Sequence, residues 1–263
     1  MDGMRAILIQ LDSQADRDAN IAKAVAMVKE AINKNAQFIL LPEMFSLRSD
    51  SLSLEQKKDT IPGEAIEPLM NLAKDNNVVI LAGSIYEGID GIEKVYNSSA
   101  LINQNGDVQA IYRKMHLFDV EVGDTVIKES NTFVPGKEQV VTEVLGVKTG
   151  LSICFDLRFP EFYKEYFRNG AKMLCVPACF TETTGKAHWE VLLRARAIEN
   201  QCFVLAPNQV GSGQKGVMTY GNSMIIDPWG RILARGSDCG EELVVADLDF
   251  DGLEEIRKKI PIS

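Results

Sequence analysis

Short apolar runs alternate along this chain with stretches whose apolar residues recur at the spacing of an α-helix. Residues 4–11 (MRAILIQL) and 38–41 are runs of the kind that form buried strands. Between them, Ser13 stands where a helix cap is expected, and the apolar positions of the following helical face are Ile21, Ala24, Val25, Val28, Ala31 and Ile32. A chain with this pattern is expected to fold by covering sheets with helices.

The middle and the end of the chain add hairpins, in which a short glycine-containing turn separates two strand-like runs. The hairpins are 97–104 with 108–114 around Asn105-Gly106, 140–145 with 147–153 around Gly146, and 224–227 with 231–235 around Pro228-Trp229-Gly230. Further helices are predicted at 61–76, 161–169, 186–200 and 250–258, and further strands at 78–86, 172–178, 203–210 and 242–249. This order predicts mixed sheets covered by helices in a layered α/β protein.

The segments between these elements indicate one domain with a site built from loops. No stretch has the composition of an interdomain linker, so we expect residues 1–263 to form a single domain. Four long segments are predicted to be loops, namely 46–60, 115–138, 180–186 and 211–221. Long loops on a regular scaffold often line a functional site.

Composition excludes several classes of function. Asp and Glu outnumber Lys and Arg by 37 to 28, so the chain is acidic and a nucleic-acid partner is not expected. No apolar run reaches the length of a membrane span and no signal-peptide pattern begins the chain, so we expect a cytoplasmic protein without a membrane partner. Five cysteines without a CxxC pair fit reduced thiols, and two histidines make a poor metal set.

Cys154 is the first candidate for chemistry. It ends an apolar strand in the stretch GLSICFDLRFPE and precedes a helix that Pro160 marks. A side chain at a strand-to-helix turn is lifted out of the sheet, and the next backbone N–H, that of Phe155, points the same way and can stabilise an oxyanion. The alternative is that Cys154 is a small buried apolar residue.

Glu43 and Lys114 are the other two candidates. Glu43 follows a buried strand, so it lies at the carboxyl edge of a sheet, where partial burial would make it a usable base. Lys114 follows an alternating strand, where its ammonium could neutralise an oxyanion near a thiolate. The alternatives are a helix cap or surface position for Glu43 and a solvated strand end for Lys114.

The long motifs around these three residues resemble the nitrilase superfamily of carbon–nitrogen hydrolases. They are LLPEMF, YRKMHLF and GLSICFDLRFPE, and TTGKAHWEVLLRARAIENQ resembles the Nit branch, which includes ω-amidases and deaminated-glutathione amidases. The resemblance runs over nearly the whole chain. It implies a four-layer α-β-β-α sandwich, an amidase activity without a cofactor, and a homodimer that associates through helices.

The resemblance also assigns roles to residues. It implies that Glu43, Lys114 and Cys154 are the catalytic set and that a fourth acidic residue precedes a Pro-Gly pair, where Glu129 fits and Glu121 competes. In this mechanism Glu43 takes the proton of a thiol that is mostly protonated at neutral pH. The thiolate attacks an amide carbonyl, and water later cleaves the resulting thioester.

Substrates of the Nit branch carry a carboxylate, which suits a guanidinium fork. Arg158 is the candidate clamp, although an ion pair with Asp156 or Glu161 would equally explain it. Phe180 and Thr184 follow the next strand and are expected to line the same pocket. His188-Trp189 is interpreted as helix packing, and Cys175 and Cys179 as structural residues of a buried strand.

The substrate predicted in this way is a small amide that bears a carboxylate, either the ω-amide of a 2-oxo acid or deaminated glutathione. Three other activities remain open within the superfamily: hydrolysis of an N-carbamoyl amide, hydrolysis of a nitrile, and acyl transfer. A non-catalytic binding protein on the same scaffold and a thiol redox protein that uses Cys154 are the alternatives from other classes.

Overall fold

The computed structural model describes residues 3–122, 125–213 and 216–262. Its strands are β1 (Met4–Gln10), β2 (Phe38–Leu40), β3 (Val79–Glu87), β4 (Tyr96–Ile102), β5 (Val108–Arg113), β6 (Asp119–Val122), β7 (Thr125–Lys128), β8 (Val140–Val144), β9 (Val147–Leu151), β10 (Met173–Cys175), β11 (Phe203–Ala206), β12 (Val210–Ser212), β13 (Met218–Tyr220), β14 (Met224–Ile226), β15 (Ile232–Arg235) and β16 (Glu242–Leu248). Its α-helices are α1 (Arg17–Asn33), α2 (Leu54–Lys57), α3 (Glu67–Asn76), α4 (Pro160–Arg168), α5 (Glu182–Thr184), α6 (Glu190–Asn200) and α7 (Phe250–Lys259).

Two six-stranded mixed sheets form the centre of the fold. The first has the strand order β16-β1-β2-β3-β4-β5 and the second has the order β15-β14-β11-β10-β9-β8. In each sheet the three central strands are parallel, β1 with β2 and β3 in the first and β9 with β10 and β11 in the second. Since parallel strands end at the same edge, the segments that follow β2, β9 and β10 are free to build a site there.

The side chains of β2 show how the layers are arranged. Phe38 and Leu40 pack with residues of the second sheet, such as Leu151, whereas Ile39 and Leu41 pack with the apolar faces of α1 and α3. On the far side, α4 and α6 bury Tyr163, Tyr166, Leu193 and Ala197 in the same core as the second sheet, together with Trp189 directly before α6. The order helix, sheet, sheet, helix confirms the predicted four-layer sandwich, and the continuous apolar runs reflect strands buried on both faces.

Several local predictions are wrong, each for a local physical reason. The cap of α1 is Asp16, whose carboxylate accepts a hydrogen bond from the Ala19 N–H, while Ser13 is buried and donates to the Phe45 carbonyl. The predicted loop 46–60 contains α2, which a capping box at Ser53 starts. The segments 115–138 and 211–221 contain the hairpins β6–β7 and β12–β13.

Other elements begin or end away from their predicted bounds. The strand predicted at 203–210 ends at Ala206, before Pro207, and α6 begins at Glu190 after a π-helical turn at 185–189. In the part of the chain that the structure describes, no helix combines the length and the apolar character needed to cross a membrane.

The packing between the sheets predicts a large loss of stability for Phe38→Ala. Phe38 is fully buried, so the substitution leaves a cavity and should lower the free energy of unfolding by about 3–5 kcal/mol. Urea denaturation measures the change, and Lys29→Ala on the exposed face of α1 should stay within about 0.5 kcal/mol. A loss below about 1 kcal/mol for Phe38→Ala would contradict tight packing between the sheets.

Candidate active site

Glu43, Lys114 and Cys154 follow strands of both sheets and meet at one edge of the sandwich. Glu43 lies three residues after β2 and Lys114 directly after β5 in the first sheet, while Cys154 lies three residues after β9 in the second. The Lys114 Nζ atom is 3.0 Å from Glu43 Oε1. All three side chains are buried, with 1% exposure for Glu43 and Lys114 and 8% for Cys154. The structure therefore brings the three predicted residues together.

Both oxygens of the Glu43 carboxylate accept hydrogen bonds. Oε1 accepts from Lys114 Nζ and from Asn97 Nδ2 at 2.8 Å, and Oε2 accepts from the backbone N–H of Cys179 at 2.8 Å. Asn97 lies on β4, and its backbone carbonyl accepts the N–H of Lys114 at 2.9 Å. Asn97 thus fixes the base through its side chain and the lysine through its backbone.

The turn that carries Glu43 passes very close to β3. A Cβ atom at Gly83 would lie only 1.9 Å from the carbonyl oxygen of Pro42, so a larger residue would displace this turn. The hydroxyl of Ser84 then accepts the N–H of Met44 at 2.9 Å. These two contacts set the position from which Glu43 enters the site.

Glu129 completes the surroundings of Lys114. Lys114 Nζ lies 3.0 and 2.9 Å from the two oxygens of Glu129, which also accepts the backbone N–H of Phe118 at 2.7 Å. The 3₁₀ turn that begins at Glu129 directly follows the β6–β7 hairpin, which was missed from the sequence. Glu121 lies exposed on β6. Of the two candidates for the fourth acidic residue, the structure places Glu129 against the lysine.

Burial and charge act in opposite directions in this site. Burial on its own lowers the pKa of the Lys114 ammonium, but the carboxylates of Glu129 and Glu43 outweigh it, so the pKa lies well above its usual value. Burial, opposed by Lys114 but aided by Glu43, raises the pKa of Glu129. Burial, aided by the Glu43 carboxylate, raises the pKa of the Cys154 thiol well above its usual value. The resting site therefore holds an ammonium between carboxylates beside a protonated thiol.

Cys154 begins a 3₁₀ helix, Cys154–Arg158, in a left-handed backbone conformation with a φ of 49°. Its own N–H donates to the Pro177 carbonyl at 2.9 Å. The next N–H, that of Phe155, belongs to the first turn of this helix, where backbone donors lack the acceptors that later turns provide. The turn thus places Cys154 and Phe155 next to each other at the end of the second sheet.

A cavity of about 240 Å³ opens onto Cys154 and Glu43. Phe180 and Thr184 line it, as predicted, together with Phe155 and Glu129. The other lining residues are Met44, Arg48, Asp50, Lys57, Tyr86, Phe118, Ile127, Lys128, Thr132, Phe133, Cys179, Thr181, Gly213, Val217 and Thr219. The cavity is large enough for a small polar molecule beside the thiol.

Arg158 lies beside this cavity. Its guanidinium carbon is 5.7 Å from the ring centre of Phe155 and 5.3 Å from that of Phe180, and Nη1 is 3.2 Å from Nδ1 of His188. Among the described residues, Arg158 forms no ion pair with Asp156 or Glu161, the alternative that its sequence position left open. Partial burial lowers the pKa of Arg158.

Two residues differ from their sequence interpretation, namely Cys179 and His188. Cys179 lines the cavity and holds Glu43 with its N–H, so it is more than a structural residue of a buried strand. His188 is exposed beside Arg158, whereas its neighbour Trp189 is buried as expected. Cys179 directly follows the strand predicted at 172–178, and the structure places it at the same edge of the sandwich as Glu43, so its position was a signal that could have found it.

Sequence reasoning missed Asn97 and Arg48. Asn97 was a polar residue at the start of a predicted strand, and Arg48 lay in a segment predicted as a loop. Arg48 is 4% exposed, pairs with Asp12 at 2.7 Å, and approaches the sulfur of Cys179 at 3.8 Å. The role of Asn97 depends on how β4 pairs with its neighbours, and the role of Arg48 depends on how its loop folds. The local sequence pattern defines neither.

Comparison with known proteins agrees with this geometry. The model of the carbon–nitrogen hydrolase family matches residues 5–258. The deaminated glutathione amidase of Dictyostelium discoideum is 38% identical over 96% of this chain and 90% of its own length. The omega-amidase NIT2 of Homo sapiens is 35% identical over 100% of this chain and 94% of its own length.

A solved structure of an amidase has a similar fold. It is a variant of the amidase from Nesterenkonia sp. AN1 in which acrylamide has added to the active-site cysteine, and it superposes with a TM-score of 0.80 at 26% identity over 97% of both chains. The resemblance to the nitrilase superfamily and its Nit branch is thereby confirmed. With nearly its whole length matched by the family model, the chain belongs to the carbon–nitrogen hydrolase family.

Proposed function

We propose that this chain is a thiol-dependent amidase that hydrolyses a small carboxylate-bearing amide to a carboxylic acid and ammonia. One observation carries the proposal. The Lys114 ammonium is held between the Glu43 and Glu129 carboxylates, and the same Glu43 shares a buried cavity with the Cys154 thiol. A base, a cation and a nucleophile in one place are what attack on an amide carbonyl requires.

Acylation begins with the protonated thiol. Glu43 takes the proton of Cys154, and the thiolate sulfur forms a bond to the amide carbonyl carbon. The resulting oxyanion is stabilised by Lys114 Nζ and by the N–H of Phe155. As the carbon–nitrogen bond breaks, the protonated Glu43 gives its proton to the departing nitrogen, which leaves as ammonia. The enzyme is then a Cys154 thioester.

Deacylation reverses the roles of the same groups. Glu43 takes a proton from water, and the hydroxide oxygen attacks the thioester carbonyl carbon. The carbon–sulfur bond breaks, and the proton returns from Glu43 to the Cys154 thiolate. Glu129 takes no proton in this scheme; its two contacts with Lys114 keep the ammonium fixed through both steps. The cysteine adduct in the Nesterenkonia amidase supports a reactive thiol at this place in the fold.

The substrate proposal rests on the two relatives and on the charge beside the cavity. The relatives are named as an omega-amidase and a deaminated glutathione amidase. We propose that Arg158 holds the carboxylate of such a substrate, because its guanidinium lies over the rings of Phe155 and Phe180, which line the cavity. Phe180 and Thr184 would then contact the carbon chain between the carboxylate and the amide.

The catalytic roles predict a distinct result for each substitution. Cys154→Ala removes the nucleophile and Glu43→Gln removes the base, so each should abolish ammonia release. Lys114→Met removes one oxyanion donor and should lower kcat by about 10²- to 10³-fold. Lys148→Met, at an exposed lysine on β9, is the matched control and should retain normal turnover.

Ammonia release is measured with 2-oxoglutaramate, succinamate, deaminated glutathione, N-carbamoyl-β-alanine and an aliphatic nitrile. We expect release that depends on Cys154 from at least one of the first three. Release of ammonia from the nitrile alone would indicate a nitrilase, and release from the carbamoyl compound alone would indicate an N-carbamoyl amide hydrolase. Near-normal turnover by Cys154→Ala or Glu43→Gln would disprove the catalytic set.

The carboxylate clamp predicts a selective effect of Arg158→Lys. Lysine keeps the charge but loses the planar fork, so KM for succinamate should rise by about tenfold while KM for a neutral amide such as butyramide changes little. Steady-state kinetics with both amides checks this. An equal rise in KM for both amides would show that Arg158 does not bind the substrate carboxylate.

We also propose a homodimer that forms through α6. Val191 and Ile198 on this helix are exposed by 67% and 51%, and they lie seven residues apart on one face. Trp229, exposed by 49%, precedes Gly230, which lies against Ile198. Contiguous exposed apolar side chains mark surfaces that associate with other proteins.

The dimer proposal predicts a change in mass when this face is made acidic. The wild-type protein should sediment with twice the mass of the chain, and the double variant Val191→Asp/Ile198→Asp should sediment as a monomer. Ala26→Asp on the exposed face of α1 is the control and should remain a dimer. A monomeric wild-type protein would contradict the proposal.

The proposed location is the cytoplasm. All five cysteines are free in the structure, at positions 154, 175, 179, 202 and 239. Free thiols persist where glutathione and thioredoxin keep them reduced.

A further inference from the structure

Lys114 and Cys154 are supplied by different sheets, so the distance between them depends on what joins the end of β5 to the turn after β9. Resting on the roles proposed above for these two residues, we propose that Asp156 is a positioning residue. Through Tyr112 and His116, it holds the lysine end of the first sheet against the cysteine turn of the second.

The carboxylate of Asp156 is fully buried and accepts four hydrogen bonds. Oδ2 accepts from the Tyr112 hydroxyl at 2.6 Å and from the Ile153 N–H at 2.9 Å. Oδ1 accepts from the backbone N–H of His116 at 3.0 Å and lies 2.7 Å from its Nδ1. With Asp156 ionised, Nδ1 is the nitrogen of His116 that carries the proton. Three of these hydrogen bonds come from the lysine end of the first sheet and one comes from the cysteine turn of the second.

The residues held by Asp156 flank Lys114 on both sides. Tyr112 lies two residues before the lysine and His116 two residues after it, and the Tyr112 hydroxyl also accepts the N–H of Met115 at 3.3 Å. The His116 ring stacks on Phe159, at the end of the cysteine turn, with a centre-to-centre distance of 3.7 Å. A shift of the segment around Lys114 relative to the turn that carries Cys154 would therefore disturb all of these contacts at once.

The cysteine side of the contact is equally local. Asp156 lies two residues after Cys154 in the same 3₁₀ helix, and its bond to the Ile153 N–H closes the backbone around the nucleophile. Cys154 has a positive φ, a conformation that needs support from its surroundings in a residue other than glycine. Asp156 supplies this support and the link to the first sheet with one carboxylate.

The test uses variants that cut the link without touching either reacting group. Tyr112→Phe removes one donor, and His116→Leu removes another while leaving its backbone bond. His116→Asn restores a side-chain N–H donor near the position of Nδ1. Tyr163→Phe is the matched control, because this buried hydroxyl of α4 donates to Ser152 Oγ at 2.7 Å, next to the same turn but within the second half of the sandwich.

Four quantities are measured for each variant and for the wild type. They are kcat and KM for ammonia release from succinamate, the rate at which iodoacetamide alkylates Cys154, and the melting temperature. Tyr112→Phe and His116→Leu should lower kcat by about 10- to 100-fold with KM changed less than about threefold, since a misplaced catalytic group acts on the chemical step. Alkylation should slow as well, because Lys114 favours the thiolate.

His116→Asn should recover most of the loss in kcat, and Tyr163→Phe should keep kcat within about threefold of the wild type even if its melting temperature falls. The proposal is overturned if Tyr112→Phe and His116→Leu keep normal kcat and alkylation rates, or if Tyr163→Phe loses as much kcat as they do. Cys154→Ala is measured alongside: retained ammonia release by that variant would reject the proposed function itself. If no tested amide is hydrolysed, the alkylation rates decide the positioning role alone.

Discussion

The buried ion cluster of Lys114, Glu43 and Glu129 is the interaction on which the site depends. Removal of three charged groups from water costs several kcal/mol for each ion, and only close contacts between opposite charges offset it. Those contacts are present, at 3.0 Å to Glu43 and 2.9 Å to Glu129. Each of the three backbone segments that carry these residues must therefore be held at a fixed place. The surrounding polar contacts of Asn97, Phe118 and Cys179 serve this requirement.

The same cluster sets the state of the nucleophile. Burial raises the pKa of Cys154, and the negative charge that remains where two carboxylates face one ammonium raises it further. A thiol in such surroundings does not ionise on its own at neutral pH. Its proton needs an acceptor at the moment of attack, and Glu43 is the carboxylate in the cavity whose oxygens face both Lys114 and the Cys179 N–H. The arrangement thus joins base and cation in one hydrogen-bonded unit.

The layered fold was predictable from sequence because its strands are buried on both faces. The runs at 4–11 and 38–41 carry apolar side chains that contact the helices on one face and the second sheet on the other. They are therefore nearly continuous apolar stretches, which the sequence alone identifies as buried strands. The positions of Glu43, Lys114 and Cys154 at strand ends were also readable, since the end of a buried strand is marked by the sequence itself.

Features that depend on distant pairing were not readable. The α1 cap moved to Asp16 because the Ser13 hydroxyl donates to the distant Phe45 carbonyl instead. Cys179 acts on Glu43 through its backbone, and Asn97 does so from a neighbouring strand. Asp156 looked like a possible partner of Arg158, but its carboxylate binds Tyr112 and His116 from the other sheet.

The central claim is that an acyl group passes through a thioester on Cys154. The most direct measurement mixes the protein with 2-oxoglutaramate, quenches it in acid during the first turnover, and determines the mass of the peptide that contains Cys154. The account predicts a peptide heavier by the mass of the substrate less ammonia, with the other four cysteines unmodified. Release of ammonia while the Cys154 peptide stays unmodified at every time in the first turnover would contradict it.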